Sequence, residues 1–158
     1  MILRRAPMHD ISSLDEIAAF VPPDPGGHTL IFDADNTLAP QGAPLDQFGA
    51  LVNEAIDRFE ALAGVDRVII LTNGPERGVS RMIARGNKPW TTRRRLSLSR
   101  DSRIVVIGDQ ILTDGLLAWR LGGPFLYLVI DQNGEDARQA AMRGIGKVLT
   151  GLFFRRHR

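Results

Sequence analysis

Four short, mainly apolar runs recur along the chain without polar alternation: Thr29-Leu30-Ile31-Phe32, Val68-Ile69-Ile70-Leu71, Ile104-Val105-Val106-Ile107 and Phe125-Leu126-Tyr127-Leu128-Val129-Ile130. A strand with one face in water alternates apolar and polar side chains, so unbroken runs of this length predict strands buried on both faces. Between the first two, Phe48, Leu51, Val52, Ala55, Phe59 and Leu62 repeat at helical spacing and predict an amphipathic helix ended by Gly64. A further helical stretch is predicted from Ile111 to Leu121, stopped by Gly122-Gly123. Upstream, Ser13-Leu14-Asp15-Glu16 has the form of a capping box opening the apolar run Ile17 to Phe20, and the helix it predicts stops at Pro22-Pro23. The segment PPDPGG (22–27) reads as a loop delivering the chain into the first strand.

Buried strands separated by helices predict the doubly wound α/β class, a three-layer α/β/α, Rossmann-like arrangement around a parallel sheet. The 158 residues suit one such domain, and no repeat, low-complexity tract or linker divides them. The least legible stretch is 75–100, where Met82-Ile83 and Leu96 to Leu98 are the only apolar clusters among many basic residues.

Composition narrows the chemistry. The absence of cysteine excludes disulfide scaffolds, thiolate zinc sites and cysteine nucleophiles. The three histidines are scattered and support neither a metal site nor a triad, and GIGKVLTG (144–151) lacks the spacing and preceding strand of a phosphate-binding loop. No apolar run approaches the ~20 residues of a bilayer span, and MILRRAPMHD lacks the apolar core of a secretion signal, so a cytoplasmic protein is expected. The pI of 9.6 accompanies a net charge of only +2, because few groups titrate at mildly alkaline pH. It is no argument for nucleic acid. Distribution says more: residues 1–76 carry four basic and twelve acidic side chains, 77–103 nine basic and one acidic, and 137–158 six basic and none acidic.

In a doubly wound sheet, ligands bind beyond the carboxyl ends of the strands. The residues just past the first three predicted strands are Asp33-Ala34-Asp35-Asn36-Thr37-Leu38, Thr72-Asn73-Gly74 and Gly108-Asp109-Gln110, with Thr113-Asp114 following and Lys88 between the second and third strands. Asp33 and Asp109 at neighbouring strand ends would repel each other unless a hard cation bridged them, and oxygen-only ligands point to Mg2+. Magnesium attracts phosphate. A carboxylate such as Asp33 can attack phosphorus, Asp35 can protonate the leaving oxygen and then activate water, and Thr72 and Lys88 can hold the phosphoryl oxygens.

DADNTL (33–38), LTNG (71–74), NKP (87–89) and GDQILTD (108–114) resemble motifs I to IV of the haloacid dehalogenase (HAD) superfamily, in the same order and on the same elements. Their wording is similar to the subfamily IIIA phosphatases of the YqeG-like branch, related to phosphatidylglycerophosphate phosphatase, over roughly residues 10–130 of the chain. The resemblance implies Asp33 as nucleophile, Asp35 as general acid/base and as a metal ligand through its backbone carbonyl, and Thr72 as phosphate binder; Asn73 beside it is a further candidate for binding phosphate. It further implies Lys88 as charge stabiliser, Asp109 as Mg2+ ligand and Asp114 as the second acidic position at the metal or the lysine. Asn36 and Thr37 are expected to hold the motif loop by hydrogen bonds. Between Asp33 and Thr72 there is room for one helix and no inserted cap domain, so an open site is expected. The fifteen positions between Thr72 and Lys88 are few for the helix and strand usual there, so the peripheral strand is expected to be missing.

The expected activity is a Mg2+-dependent phosphomonoester hydrolase working through an aspartyl-phosphate, with a phospholipid headgroup phosphate as the narrower substrate. Two alternatives stay open: a phosphoacceptor module with little turnover, and a nucleic-acid-end binder using the 77–103 patch. That patch has no interleaved aromatics to stack bases, so nucleic acid is disfavoured. Arg93-Arg94-Arg95 reads either as a solvated helical face or as a steering patch for an anionic substrate. The tail GLFFRRHR (151–158) reads either as a terminus docking Leu152 and Phe153 on the core or as a peripheral contact with anionic lipid.

Overall fold

The computed structural model describes residues 5–23, 26–79, 81–129 and 137–156. Its strands are β1 (Ala6–Ile11), β2 (His28–Phe32), β3 (Val65–Leu71), β4 (Met82–Ile83), β5 (Arg103–Gly108), β6 (Phe125–Leu128) and β7 (Phe154–Arg156). They form one sheet in the order β4-β3-β2-β5-β6-β1-β7, and every pairing is parallel. The four predicted strands are β2, β3, β5 and β6. The last is shorter than its apolar run: Val129 is half exposed beyond it, and Ile130 lies outside the described residues.

Alternate residues of the central strands feed two separate cores, which is why these runs show no polar alternation. Leu30, Phe32, Ile70 and Ile107 pack with Phe48, Val52, Ile56 and Phe59 of helix α1 (Leu45–Glu60). Ile31, Ile69, Leu71 and Val106 face the other way, against Leu117 and Leu121 of helix α2 (Leu116–Leu121). Each such side chain contributes roughly 1.5–3 kcal/mol on burial, so the middle of the sheet is strongly stabilised from both faces. The layers are those of a Rossmann-like α/β fold, and α1 is the only helix between β2 and β3.

Several elements differ from expectation. The capping box forms, with the Ser13 hydroxyl accepting from the Asp15 N–H and the Glu16 carboxylate accepting from the Ser13 N–H, each at 3.1 Å, but the turn it opens is a 3-10 helix (Leu14–Phe20). The peripheral strand is present: Met82 and Ile83 pair with Ile70 and Leu71. Two residues suffice for it, so no long segment is needed. From there to β5 the described chain runs through turns without a helix, and Arg93 is not on a helical face. Its guanidinium instead donates to the carbonyls of Leu121, Ser99 and Ser102, at the amino end of the sheet and away from the strand ends where a ligand would bind.

The basic C-terminal segment forms helix α3 (Ala137–Phe153), which runs directly into β7 beside β1. In the tail it is Phe154 that is buried, while Leu152 is largely exposed and Phe153 meets Trp119 edge-on with centroids 5.1 Å apart. His157 and Arg158 lie outside the described residues. Among the described residues no helix is long and apolar enough to cross a membrane.

Candidate active site

Register places the candidate residues. Phe32 on β2 pairs with Ile70 on β3 and Ile107 on β5, so these three strands end nearly level and Asp33, Thr72 and Asp109 emerge at the same edge. The Asp33 N–H donates to the Ile107 carbonyl at 2.9 Å, docking the chain leaving β2 onto β5. Asn36 then takes a left-handed conformation (φ 59°), its N–H bonding the Ala39 carbonyl and its side-chain oxygen accepting from the Gln41 N–H. Asn36 thus holds the loop as expected. Thr37 does not contribute in the same way, because its hydroxyl is buried with no hydrogen-bond partner among the described residues.

Asp114 reaches the same edge by a different device. The predicted helix from Ile111 begins as a π-helical turn (Ile111–Gly115) before tightening into α2, and Asp114 sits in that wide turn. Its Oδ2 accepts from the Gln110 N–H at 3.2 Å and lies against the backbone of Gly108, where a Cβ would come within 2.3 Å of it. Glycine at 108 is therefore a packing requirement of the site. Sequence pattern alone gives no sign of it.

Carboxylate oxygens of Asp33, Asp109 and Asp114 lie within 4.8 Å of one another, and all three residues are buried. Lys88 joins them, its ammonium donating to Asp33 Oδ1 at 2.5 Å and to Asp114 Oδ1 at 2.6 Å. The ammonium thus bridges two of the three carboxylates. Burial and the Asp114 carboxylate push the Asp33 carboxyl up to about 7, against the pull of Lys88. Burial also works against the ammonium of Lys88, yet the carboxylates of Asp114 and Asp33 outweigh it and hold the lysine well above its ordinary value. The donor set is oxygen-only and hard, which fits a divalent cation such as Mg2+.

Although no cap domain is inserted, this cluster is not open. Asp33 and Lys88 are 8% and 7% exposed, and Asp109 and Asp114 are 1% exposed. Asp35 beside them is less buried, its side chain 22% exposed.

The side chain of Asp35 stands apart from the three clustered carboxylates. One oxygen accepts from Arg77 Nη1 at 2.6 Å, the other from the Thr72 hydroxyl at 3.3 Å. Thr72 in turn accepts from the Gly74 N–H at 2.9 Å. Asn73 is placed differently from the phosphate-binding role expected of it. Its amide spans the backbone of Lys88, accepting from the Lys88 N–H at 2.7 Å and donating to the Lys88 carbonyl at 3.2 Å. That clamp explains how so short a connection holds the lysine. Further ties run from the Arg85 N–H to the Gly74 carbonyl and from the Gly86 N–H to the Thr72 carbonyl.

Arg77 is the residue that sequence reasoning missed. It was visible only as one of nine basic residues in 77–103, and what singles it out is tertiary: its guanidinium lies 4.7 Å from the centre of the Phe48 ring, on α1.

No protein-family model matches the chain, and a search of curated proteins finds no match.

Proposed function

We propose that this protein is a phosphomonoester hydrolase of the HAD type, with Asp33 as nucleophile. The observation that carries the reading is the convergence, at the carboxyl ends of three parallel strands, of a buried carboxylate trio, a lysine bridging two of them and a separate carboxylate two residues beyond the first. The four motif-like segments that resemble that superfamily supply these residues.

In this reading a phosphate monoester enters beside Asp35 and Thr72. An Asp33 oxygen attacks phosphorus while the bond to the leaving oxygen breaks, and Asp35 gives that oxygen a proton. Water then attacks the aspartyl-phosphate, Asp35 takes its proton, and the bond from phosphorus to Asp33 breaks to release inorganic phosphate. Lys88 offsets charge on the phosphoryl oxygens, beside Thr72, whose hydroxyl gives its one hydrogen to Asp35. Mg2+, held by Asp33, Asp109 and Asp114 and by the Asp35 carbonyl, would neutralise charge on the phosphoryl group.

Lys88 also keeps Asp33 and Asp114 apart in charge before substrate arrives. Asn73 acts through the Lys88 backbone. For the substrate class, α3 exposes Ile145, Val148 and Leu152 (55%, 80% and 56%) on a segment with no acidic residue, which favours a peripheral contact with anionic lipid and a phospholipid headgroup phosphate.

The test is a Mg2+-dependent phosphatase screen over aryl, lipid, sugar and nucleotide phosphates, with Asp33→Asn as control. Release of phosphate by the wild type and none by the variant is expected. Turnover unchanged in Asp33→Asn would refute the reading, and a long-lived phosphoprotein without turnover would favour a phosphoacceptor module.

A further inference from the structure

Arg77 lies on the loop leaving β3, five residues beyond Thr72, and three observations make it more than a surface cation. Its guanidinium lies over the buried ring of Phe48, 4.7 Å from the ring centre, so α1 helps to fix its position. It gives its Nη1 hydrogen to one oxygen of Asp35 at 2.6 Å. The other oxygen of that carboxylate is bonded by the Thr72 hydroxyl at 3.3 Å. A carboxylate on a loop rotates freely about its last bond unless both oxygens are engaged, and here two residues of the loop leaving β3 engage them.

We propose that Arg77 is a positioning residue for Asp35, orienting its carboxyl toward the leaving-group oxygen of a phosphate ester; this rests on the hydrolase reading above. Arg77 contacts Asp35 and not the three clustered carboxylates, so its contribution falls on proton delivery to the leaving group. Arginine suits this position better than lysine, because its planar fork can lie over Phe48 and donate to Asp35 from its edge at once.

The experiment compares kcat/KM for p-nitrophenyl phosphate, whose leaving group departs without a proton, with that for phenyl phosphate, whose leaving group needs one. Wild type, Arg77→Met, Arg77→Lys and Asp35→Asn are measured with Mg2+. General acid catalysis is worth about 100- to 10,000-fold. Arg77→Met is therefore expected to lose roughly 10- to 100-fold on phenyl phosphate and under about threefold on p-nitrophenyl phosphate, with Arg77→Lys between it and the wild type. Because the two substrates are compared within one preparation, their ratio is independent of the fraction folded.

Equal losses on both substrates, or a rise in KM alone, would overturn the positioning role, since Arg77 would then bind the phosphoryl group itself or serve the fold. A wild type that turns over neither substrate refutes the hydrolase reading and this role with it, an outcome distinct from an active wild type whose substrate ratio Arg77→Met leaves unchanged.

Discussion

Gly108→Ala tests whether the site is built by packing as described. A Cβ at 108 would lie 2.3 Å from Asp114 Oδ2, 2.5 Å from its Cγ and 2.7 Å from its Cβ. Ordinary contacts between such atoms are ~3.5 Å, so the Asp114 side chain must retreat by about 1 Å. It cannot do so and keep its 2.6 Å bond to Lys88, which would lengthen beyond hydrogen-bonding range. Overpacking costs roughly 1–3 kcal/mol, and leaving a buried charge without its partner costs about 3–5 kcal/mol. The expected loss is thus ~2–5 kcal/mol, read as a fall in the midpoint of urea unfolding at unchanged slope. Asp114→Gly removes every atom of the clash, so Gly108→Ala in that background should cost under about 0.5 kcal/mol. Equal costs in both backgrounds would show that the contact between Gly108 and Asp114 does not shape the site.

Other consequences can be checked alongside. Lys88→Met leaves the buried carboxylates of Asp33 and Asp114 without the ammonium that bridges them and should cost ~3–5 kcal/mol, with Mg2+ restoring part of it; urea unfolding with and without Mg2+ measures both, and a loss that Mg2+ leaves untouched would contradict the metal role of the trio. Asn73→Ala removes both hydrogen bonds to the Lys88 backbone, with an expected cost of ~1–3 kcal/mol and a fall in kcat; full activity would mean that Lys88 is anchored elsewhere. In chelator, the raised Asp33 carboxyl makes the folded state the better proton binder between its ordinary 3.8 and about 7, so stability should decline as pH rises through that window and level off above it. Lys88, held above its ordinary 10.5, contributes stability below that pH and loses it only in strongly alkaline solution. Thermal unfolding from pH 4 to 8 tests the first window, and Asp33→Asn should flatten it.

The centre of the sheet was legible because burial on both faces leaves a direct mark: the runs at 29–32, 68–71 and 104–107 are β2, the inner part of β3 and β5. The outer strands were not. β1 interrupts its buried Ala6, Met8 and Ile11 with Pro7, His9 and Asp10, and β7 is three residues long with two arginines, so neither forms an apolar run. β4 has two residues and joins the sheet by backbone pairing, which leaves little trace in side-chain chemistry. At the site, reading past the strand ends brought together Asp33, Thr72, Asp109, Asp114 and Lys88, because topology alone makes strand ends converge. It could not show that Asn73 grips a backbone, that Gly108 makes room for Asp114, or that Arg77 crosses from its loop to Phe48. Those contacts depend on tertiary distances between residues remote in sequence, as with the 29 positions from Phe48 to Arg77.

The central claim is that Asp33 takes a phosphoryl group. Incubating the protein with Mg2+ and an aryl phosphate, quenching in acid and mapping the peptides by mass spectrometry tests it directly. A phosphoryl adduct on the peptide carrying Asp33, labile in mild base and absent from Asp33→Asn, is the predicted result. Turnover of the same substrate with no adduct on Asp33 at any quench time, and with activity intact in Asp33→Asn, would contradict it.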